Sequence, residues 1–328
     1  MSNQYVEDWI GSEFGDYTIQ ELVGEGTFSL VFRAVDRAGG AEKAIKIPRA
    51  YIPSPDKPNE FVPTQVFIKR RDRYSPQEAS PVHIQKIQVA RTRDISDLGL
   101  VSVDKYSFEK GKAFSRMPLL SGQTFRQYLR AGPVPVSLLG DIASTLARLN
   151  DNDDFGYHGD VKPENMIVTT DGVVLVDCGY FGSIEMEEDV NSEHKALIVT
   201  TPRYYPHLKA DDLLAFGLIL WESACRESLL TSVAYSRDFE LDKVKESLIE
   251  SVHQEEDQGN FNFSQIMDAK RPSWIRPGLP DRIENLLLKA TRLKFDDDDC
   301  LDLVEGYESF AEIEKDLSRL VEVGIHYV

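Results

Sequence analysis

The sequence predicts an α+β fold of two lobes, and three observations predict it. Residues 17–47 read as strand-like runs broken by glycine turns at 24–26 and 39–40. Residues 137–149 and, further on, roughly 239–255, 281–293 and 308–323 read as helices. Between them lies a polar loop, residues 158–165, followed at once by two short apolar runs. Strands gather early and helices late, the segregation expected of an α+β chain. A chain of 328 residues is long enough for two lobes or two small domains with cores of their own.

Composition narrows the function classes. Hydrophobic residues at 41% and charged residues at 28% fit a soluble globular protein. The net charge of −18 argues against nucleic acid or an anionic membrane as the main partner. A basic peptide substrate is the functional reading of that charge, and a solvated acidic surface is the plain one. The cysteines Cys178, Cys225 and Cys300 show no paired spacing, so neither a disulfide framework nor a structural zinc site is expected. The start of the sequence carries no basic-then-apolar signal pattern, and the longest apolar candidate, residues 213–221, is too short to cross a bilayer. A cytoplasmic location without a membrane span is the expectation.

Residues 1–14 are polar and mixed, with Trp9 and Ile10 as anchors, and are expected to pack on the first lobe as an extension. A strand over 17–23 leads into Gly24-Glu25-Gly26-Thr27-Phe28-Ser29 and a second strand through Val31. Gly24 and Gly26 permit a tight turn and a close approach of backbone amides to phosphate oxygens; a plain hairpin explains the pair equally well. After the Gly39-Gly40 turn, a strand over 41–47 carries Ala44-Ile45-Lys46. A lysine in an apolar strand is costly to bury unless paired; the alternative is an edge-strand lysine reaching water. Residues 48–81 are rich in proline and charge and show weak periodicity. Ser80-Pro81 reads as a cap and first turn for a helix over 82–91. Residues 100–108 and 112–120 read as two strands around Lys110-Gly111, and a helix starts at 124–129. In the helix over 137–149, Leu138, Leu139, Ile142 and Leu146 recur at helical spacing and are assigned to the core. The acidic run at 296–299 reads as a solvated loop, since it lacks the glycine and terminal glutamate of a calcium loop.

The loop at 158–165 reads His-Gly-Asp-Val-Lys-Pro-Glu-Asn. Asp160 is placed to take or orient the proton of an attacking hydroxyl. Lys162, two residues on, falls on the same side and could neutralise a phosphate in flight. Asn165 is far enough along to hold a metal on the other side. A strand over 166–168, a turn at 170–172 and a second strand over 173–176 deliver a further carboxylate, Asp177. Two carboxylates and an amide converging from two strand ends suit a magnesium–nucleotide site.

Asp160-x-Lys162-x-x-Asn165, followed by Asp177-Cys178-Gly179, resembles the catalytic loop and metal-binding segment of eukaryotic-type serine/threonine protein kinase catalytic domains, including the bacterial ones, in the protein kinase superfamily. The resemblance covers roughly residues 15–320. It implies a small N-lobe, with an antiparallel five-stranded sheet and one helix, and a larger, mainly helical C-lobe. The implied bounds are an extension at 1–14, the N-lobe at 15–118 and the C-lobe at 119–328. It further implies ATP between the lobes, bound by Gly24, Glu25, Gly26, Thr27, Phe28, Val31, Ala44, Lys46, Met117 and Leu119. Lys46 corresponds to the lysine that holds the α- and β-phosphates, and Asn165 and Asp177 to the magnesium ligands. Asp160 corresponds to the residue that orients the substrate hydroxyl, and Lys162 to the one that offsets charge on the transferring group. Residues 179–201 correspond to a mobile loop with acids at Glu185, Glu187, Glu188 and Asp189. Residues 200–206 correspond to the segment that receives the substrate hydroxyl. Asp212, at the head of a buried central helix over 210–222, matches the acid that caps the catalytic-loop backbone.

Several positions depart from the family pattern. Ser29 stands for the third glycine of the phosphate loop. The family helix supplies a glutamate to the strand lysine; here the candidates are Gln85, Gln88 and Glu78. Gly159 replaces an arginine that binds a loop phosphate, so a non-RD enzyme not controlled by loop phosphorylation is expected. Cys178 replaces a phenylalanine. Pro206-His207 and Gly306 stand where the family has the glutamate and arginine of a buried ion pair. Loss of one member costs about 3–5 kcal/mol, so loss of both reads as a compensated change.

The functional expectation is an ATP- and magnesium-dependent serine/threonine protein kinase. Its partners are then a protein substrate and, potentially, a regulatory protein; Lys162 favours a serine or threonine acceptor over tyrosine. The alternative is a kinase-like pseudoenzyme, a nucleotide-binding or scaffolding module. It is favoured by the neutral glutamines and the altered 177–179 segment, and disfavoured by the joint presence of Lys46, Asp160, Asn165 and Asp177. A small-molecule kinase of antibiotic-phosphotransferase type shares Asp160 and Asn165 but does not account for Lys162.

Overall fold

The computed structural model describes residues 9–26, 29–48, 51–53, 61–63, 66–70, 73–77, 81–92, 98–109, 112–153, 155–184, 195–199, 204–205, 211–229, 270–296 and 301–328. The chain divides into two compact units. The first joins residues 1–121 with 182–199; the second joins 122–181 with 200–328.

The first unit is built on strands β1 (Glu13–Phe14), β2 (Tyr17–Glu25), β3 (Ser29–Asp36) and β4 (Glu42–Pro48). A short ribbon of β5 (Tyr51–Pro53) and β6 (Phe61–Pro63) follows, then a hairpin of β7 (Val66–Arg70) and β8 (Arg73–Gln77). The stretch after residue 48, weakly patterned in sequence, therefore holds two antiparallel pairs. Helix α1 (Pro81–Thr92) comes next, then β9 (Lys105–Glu109) and β10 (Lys112–Pro118). The main sheet is antiparallel, in the order β1-β2-β3-β4-β10-β9. Five of its strands are those expected; the sixth, β1, comes from the N-terminal extension.

Register sorts the two faces of this sheet. Val31 lies opposite Lys46, Lys46 opposite Ser115, and Ala44 opposite Met117. With side chains alternating along each strand, Val31, Ala44, Lys46, Ser115 and Met117 share one face. The other face carries Leu30, Phe32, Ile45, Ile47 and Phe114, which form the core with Ile19, Trp9 and Phe14. Trp9 and Phe14 pack at a tilt with ring centroids 5.5 Å apart, and Phe14 meets Phe114 edge-on at 5.3 Å. The extension is thus held by Trp9 and Phe14. Ile10, expected as an anchor, is 47% exposed. A buried aromatic of this kind contributes roughly 1.5–3 kcal/mol, which fixes so short an extension.

The second unit opens with β11 (Gln123–Thr124) and helix α2 (Phe125–Ala131). Thr124 and Gln127 cap this helix reciprocally, side chain to backbone, which satisfies two amides of its first turn. Helix α3 (Val136–Asn150) buries Leu138, Leu139, Ile142 and Leu146, the stripe expected from sequence. A hairpin of β12 (Met166–Thr169) and β13 (Gly172–Leu175) follows, with Met166 opposite Leu175. The chain then leaves this unit along β14 (Tyr180–Ile184), and β15 (Lys195–Val199) belongs to the first unit. Helix α4 (Asp212–Cys225) is buried at every residue but Leu213. A short α5 (Pro272–Ile275), then α6 (Asp281–Thr291), the pair β16 (Leu293–Phe295) and β17 (Leu301–Leu303), and α7 (Phe310–Glu322) complete the unit. Helix α7 packs on α3, and α6 on α4. The helix expected at 239–255 lies outside the described residues.

One place differs from expectation. Residues 179–201 were expected as a mobile loop. Their described parts instead form β14 and β15, in a sheet ordered β14-β15-β7-β8. Ala196 pairs with Lys69 and Leu197 with Ile68, so backbone hydrogen bonding holds part of this segment to the β7–β8 hairpin. The acids at 185–189 lie outside the described residues. At Gly306, a Cβ would come within 2.7 Å of Arg292 Cγ and 2.9 Å of the Lys289 carbonyl. The arginine that crowds this glycine forms an ion pair of its own, Arg292 Nη1 to Asp211 Oδ2, at 2.7 Å. His207 is outside the described residues.

Candidate active site

The catalytic-loop candidates are held mainly by backbone bonds. His158 and Gly159 donate their amides to Asp212, at 2.5 and 3.0 Å. Asp212 therefore caps the loop in the manner its position implied, while opening α4. Gly159 sits at φ +81°, where a residue with a Cβ is strained by roughly 1–2 kcal/mol. The Asp160 amide donates to His158 Nδ1 at 3.2 Å, and His158 Nε2 lies 3.0 Å from the Val176 carbonyl. With Nδ1 accepting, Nε2 carries the proton, so His158 is assigned as the neutral tautomer. Its carbonyl accepts from the Gly179 amide at 3.0 Å. His158 is fully buried and ties the loop to the segment around Asp177. The sequence reading gave it no role; its place two residues before Asp160 was the available signal.

The β12–β13 hairpin brings Asn165 and Asp177 side by side, with the Val176 amide on the Asn165 carbonyl at 2.9 Å. Asn165 Nδ2 donates to the Asp160 carbonyl at 2.9 Å, to Asp160 Oδ2 at 2.9 Å and to the Asp177 carbonyl at 3.1 Å. Lys162 Nζ lies 2.7 Å from the same Asp160 Oδ2. Asp160 Oδ1, by contrast, is buried and has no hydrogen-bond partner among the described residues. The second unit thus gathers Asp160, Lys162, Asn165 and Asp177 into one cluster.

Asp177 has φ +55°. Among the described residues only Arg226 and Arg292 share a positive φ without being glycine, and both terminate helices, where that geometry is ordinary. Asp177 ends no helix. Such strain, of order 1–3 kcal/mol, concentrates at functional positions.

A buried polar network braces the turn before Asn165. Arg126 of α2 donates to Glu222 of α4 at 2.5 Å, to the Tyr204 hydroxyl at 2.7 Å and to Glu164 at 2.7 Å. Tyr204 donates to the other Glu222 oxygen at 2.9 Å. Burial alone would lower the Arg126 pKa, but the bonds to Glu222, Tyr204 and Glu164 outweigh it and raise it. This network was not legible in sequence, because its members are spread from residue 126 to residue 222.

In the first unit, Lys46 is 5% exposed and donates to Gln88 Oε1 at 3.0 Å. Gln85 donates to the Lys46 carbonyl at 2.7 Å and to Ser115 Oγ at 2.8 Å. Of the three partners left open by sequence, Gln88 meets the lysine side chain and Gln85 the strand behind it; Glu78 lies outside the described residues. Ala44 and Met117 are buried, Val31 and Leu119 half-buried, and Glu25 exposed. Gly24 lies opposite Val31, and the Gly26 amide bonds to the Ser29 carbonyl at 2.9 Å. Thr27 and Phe28 lie outside the described residues.

The solved kinase domain of PknI from Mycobacterium tuberculosis superposes with a TM-score of 0.51, over 94% of this chain and 98% of that one, at 15% identity. The fold is that of a protein kinase catalytic domain. Sequence relatives agree with that fold. The kinase-fold chain is 25% identical over 298 residues to serine/threonine-protein kinase PknH of M. tuberculosis, 88% of this chain and 40% of the relative. It is 24% identical over 318 residues to serine/threonine-protein kinase PrkC of Bacillus subtilis, 92% of this chain and 40% of that relative. The kinase-fold chain therefore spans about two fifths of the length of these curated relatives. No protein-family model matches it. Among the described residues, no helix is long and apolar enough to cross a membrane.

Proposed function

We propose that this chain is a serine/threonine protein kinase that transfers the γ-phosphoryl group of ATP to a protein hydroxyl. The observation that carries this reading is the split environment of Asp160. One carboxylate oxygen is pinned by Asn165 and Lys162, and the other is buried with no hydrogen-bond partner among the described residues. A buried acceptor left unsatisfied costs about 1–3 kcal/mol, a cost removed when a substrate hydroxyl donates to it.

In this reading Asp160 Oδ1 accepts the proton of the attacking hydroxyl. The bond from that oxygen to the γ-phosphorus forms as the bond from the γ-phosphorus to the β–γ bridging oxygen breaks, and ADP leaves. Lys162 offsets charge on the group in transfer. Lys46, steadied by Gln88, engages the α- and β-phosphates. Positioning and charge do most of the work.

A divalent cation fits the residues present. The Asn165 amide bonds Asp160 and the Asp177 carbonyl through Nδ2, so its Oδ1 is a hard oxygen donor to which the neighbouring Asp177 would add its carboxylate. Among the described residues there is no cluster of three or more His, Cys, Asp or Glu side chains able to cage a metal. Few protein ligands with the rest from phosphate and water is the habit of magnesium, which we assign to this site. When bound, it neutralises charge on the phosphates.

Gly159 offers no cation to a phosphorylated loop, so activity is expected without loop phosphorylation. Cys225 is a buried thiol whose pKa is pushed up to about 12 by burial and then by Glu227, and a cytoplasmic setting suits it. The competing reading, a nucleotide-binding scaffold, rests on the neutral Gln88 amide against Lys46.

The test is transfer from labelled ATP to a basic protein mixture, with Asp160→Asn alongside. Transfer by the wild type and its loss, by at least ~10²-fold, in a folded Asp160→Asn protein are expected. Undiminished transfer by that variant would refute the role of Asp160. ATP-dependent melting with no transfer to any protein would favour the scaffold.

A further inference from the structure

Resting on the kinase reading above, we propose that Tyr205 is a positioning residue for Asp160, holding the catalytic-loop backbone through its phenol. Tyr205 is 1% exposed. Its hydroxyl accepts from the Val161 amide at 2.7 Å and donates to Asp212 Oδ1 at 2.6 Å. That same Asp212 oxygen accepts the Gly159 amide. Three consecutive amides are thereby fixed, each by a different side chain: Gly159 by Asp212, Asp160 by His158 and Val161 by Tyr205. The peptide planes on both sides of Asp160 are set, and with them the direction in which Oδ1 faces.

The tie matters more because residue 159 is glycine. A glycine loses more conformational freedom on ordering than any other residue, so a loop containing one relies on external bonds. No apolar residue at 205 can accept the Val161 amide, and the amide would stay buried and unsatisfied. Burial and then the neighbouring Asp212 carboxylate hold the Tyr205 hydroxyl well above its ordinary pKa. It therefore stays protonated, donating to Asp212 while accepting from Val161.

The experiment compares Tyr205→Phe with Tyr307→Phe. Tyr307 is also a buried phenol, bonded to Asp316 at 2.9 Å beside α7, and serves as the control for losing a buried hydroxyl. In Tyr205→Phe, kcat is expected to fall about 10- to 100-fold, the scale of a small misplacement. KM for ATP should stay unchanged, and the Val161 amide should exchange with deuterium faster. Tyr307→Phe should lower the melting temperature and leave kcat intact. An active wild type with an equally active Tyr205→Phe protein overturns the proposal. So does a loss of kcat matched by Tyr307→Phe at equal destabilisation. If the wild type transfers no phosphate, the kinase reading fails. Amide exchange then decides the tie alone, and unchanged protection at Val161 refutes it.

Discussion

Lys46 and its glutamines show how one polar contact sets a testable affinity. A lysine this buried needs a partner, and Gln88 supplies a neutral one at 3.0 Å. A single hydrogen bond of this type is worth about 1 kcal/mol, so Gln88→Ala should raise KM for ATP roughly fivefold. Gln88→Glu turns the contact into a charge-assisted bond, about twice as strong, and should lower KM instead. Initial rates with ATP varied would check both directions; a KM insensitive to either change would remove Gln88 from the site. The polar loop at 158–165 was legible because its chemistry sits within eight consecutive residues. That Gln88 meets Lys46 was not, because a helix offers several side chains within reach and only packing selects among them.

Helix α4 makes the corresponding point for a whole element. Its apolar run marked it as buried, and it buries every residue but Leu213. What sequence did not reveal is why Gly217 stands in its middle, where glycine is unfavourable by roughly 1 kcal/mol. A Cβ there would lie 2.1 Å from the Ala290 carbonyl of α6, so the two helices cross at backbone contact. Gly217→Ala should therefore destabilise by at least ~1–3 kcal/mol despite its better helix propensity. Urea unfolding would measure it, and a neutral or stabilised variant would contradict the close crossing. The strand pair β7–β15 was equally hidden. Its two partners lie more than a hundred residues apart in the chain, and neither has a strong alternating pattern. Leu197→Pro removes an amide donor and should speed deuterium exchange along residues 66–70; unchanged exchange there would deny the pairing.

For the molecule as a whole, charge and buried phenols govern the response to pH. The net charge is −18 near neutrality, and it becomes more negative as tyrosines and lysines lose protons. Burial raises the pKa of Tyr205 and Tyr307, aided by Asp212 and Asp316 respectively. In each case the folded value lies above the unfolded one. Their contribution is then complete below about pH 10 and is lost as pH rises through the folded values. The melting temperature should begin to fall as pH rises past about 10 and keep falling above it, and Tyr205→Phe should flatten that fall. Thermal melts across this range would show it; a flat profile for the wild type would mean that the phenols are not buried as described.

The sequence alone determined the α+β segregation of strands and helices, the amphipathic face of α3 and the cluster Asp160, Lys162, Asn165 and Asp177. These depend on periodicity and on spacing along a short stretch of chain, and both survive without knowledge of the rest. The tertiary structure alone decided that Phe14 and not Ile10 anchors the extension, that Gln88 meets Lys46, and that Tyr205 and His158 brace the loop around Asp160. Each of these is a contact between segments remote in sequence. Such contacts follow from how surfaces pack, and local pattern does not encode which surfaces will meet.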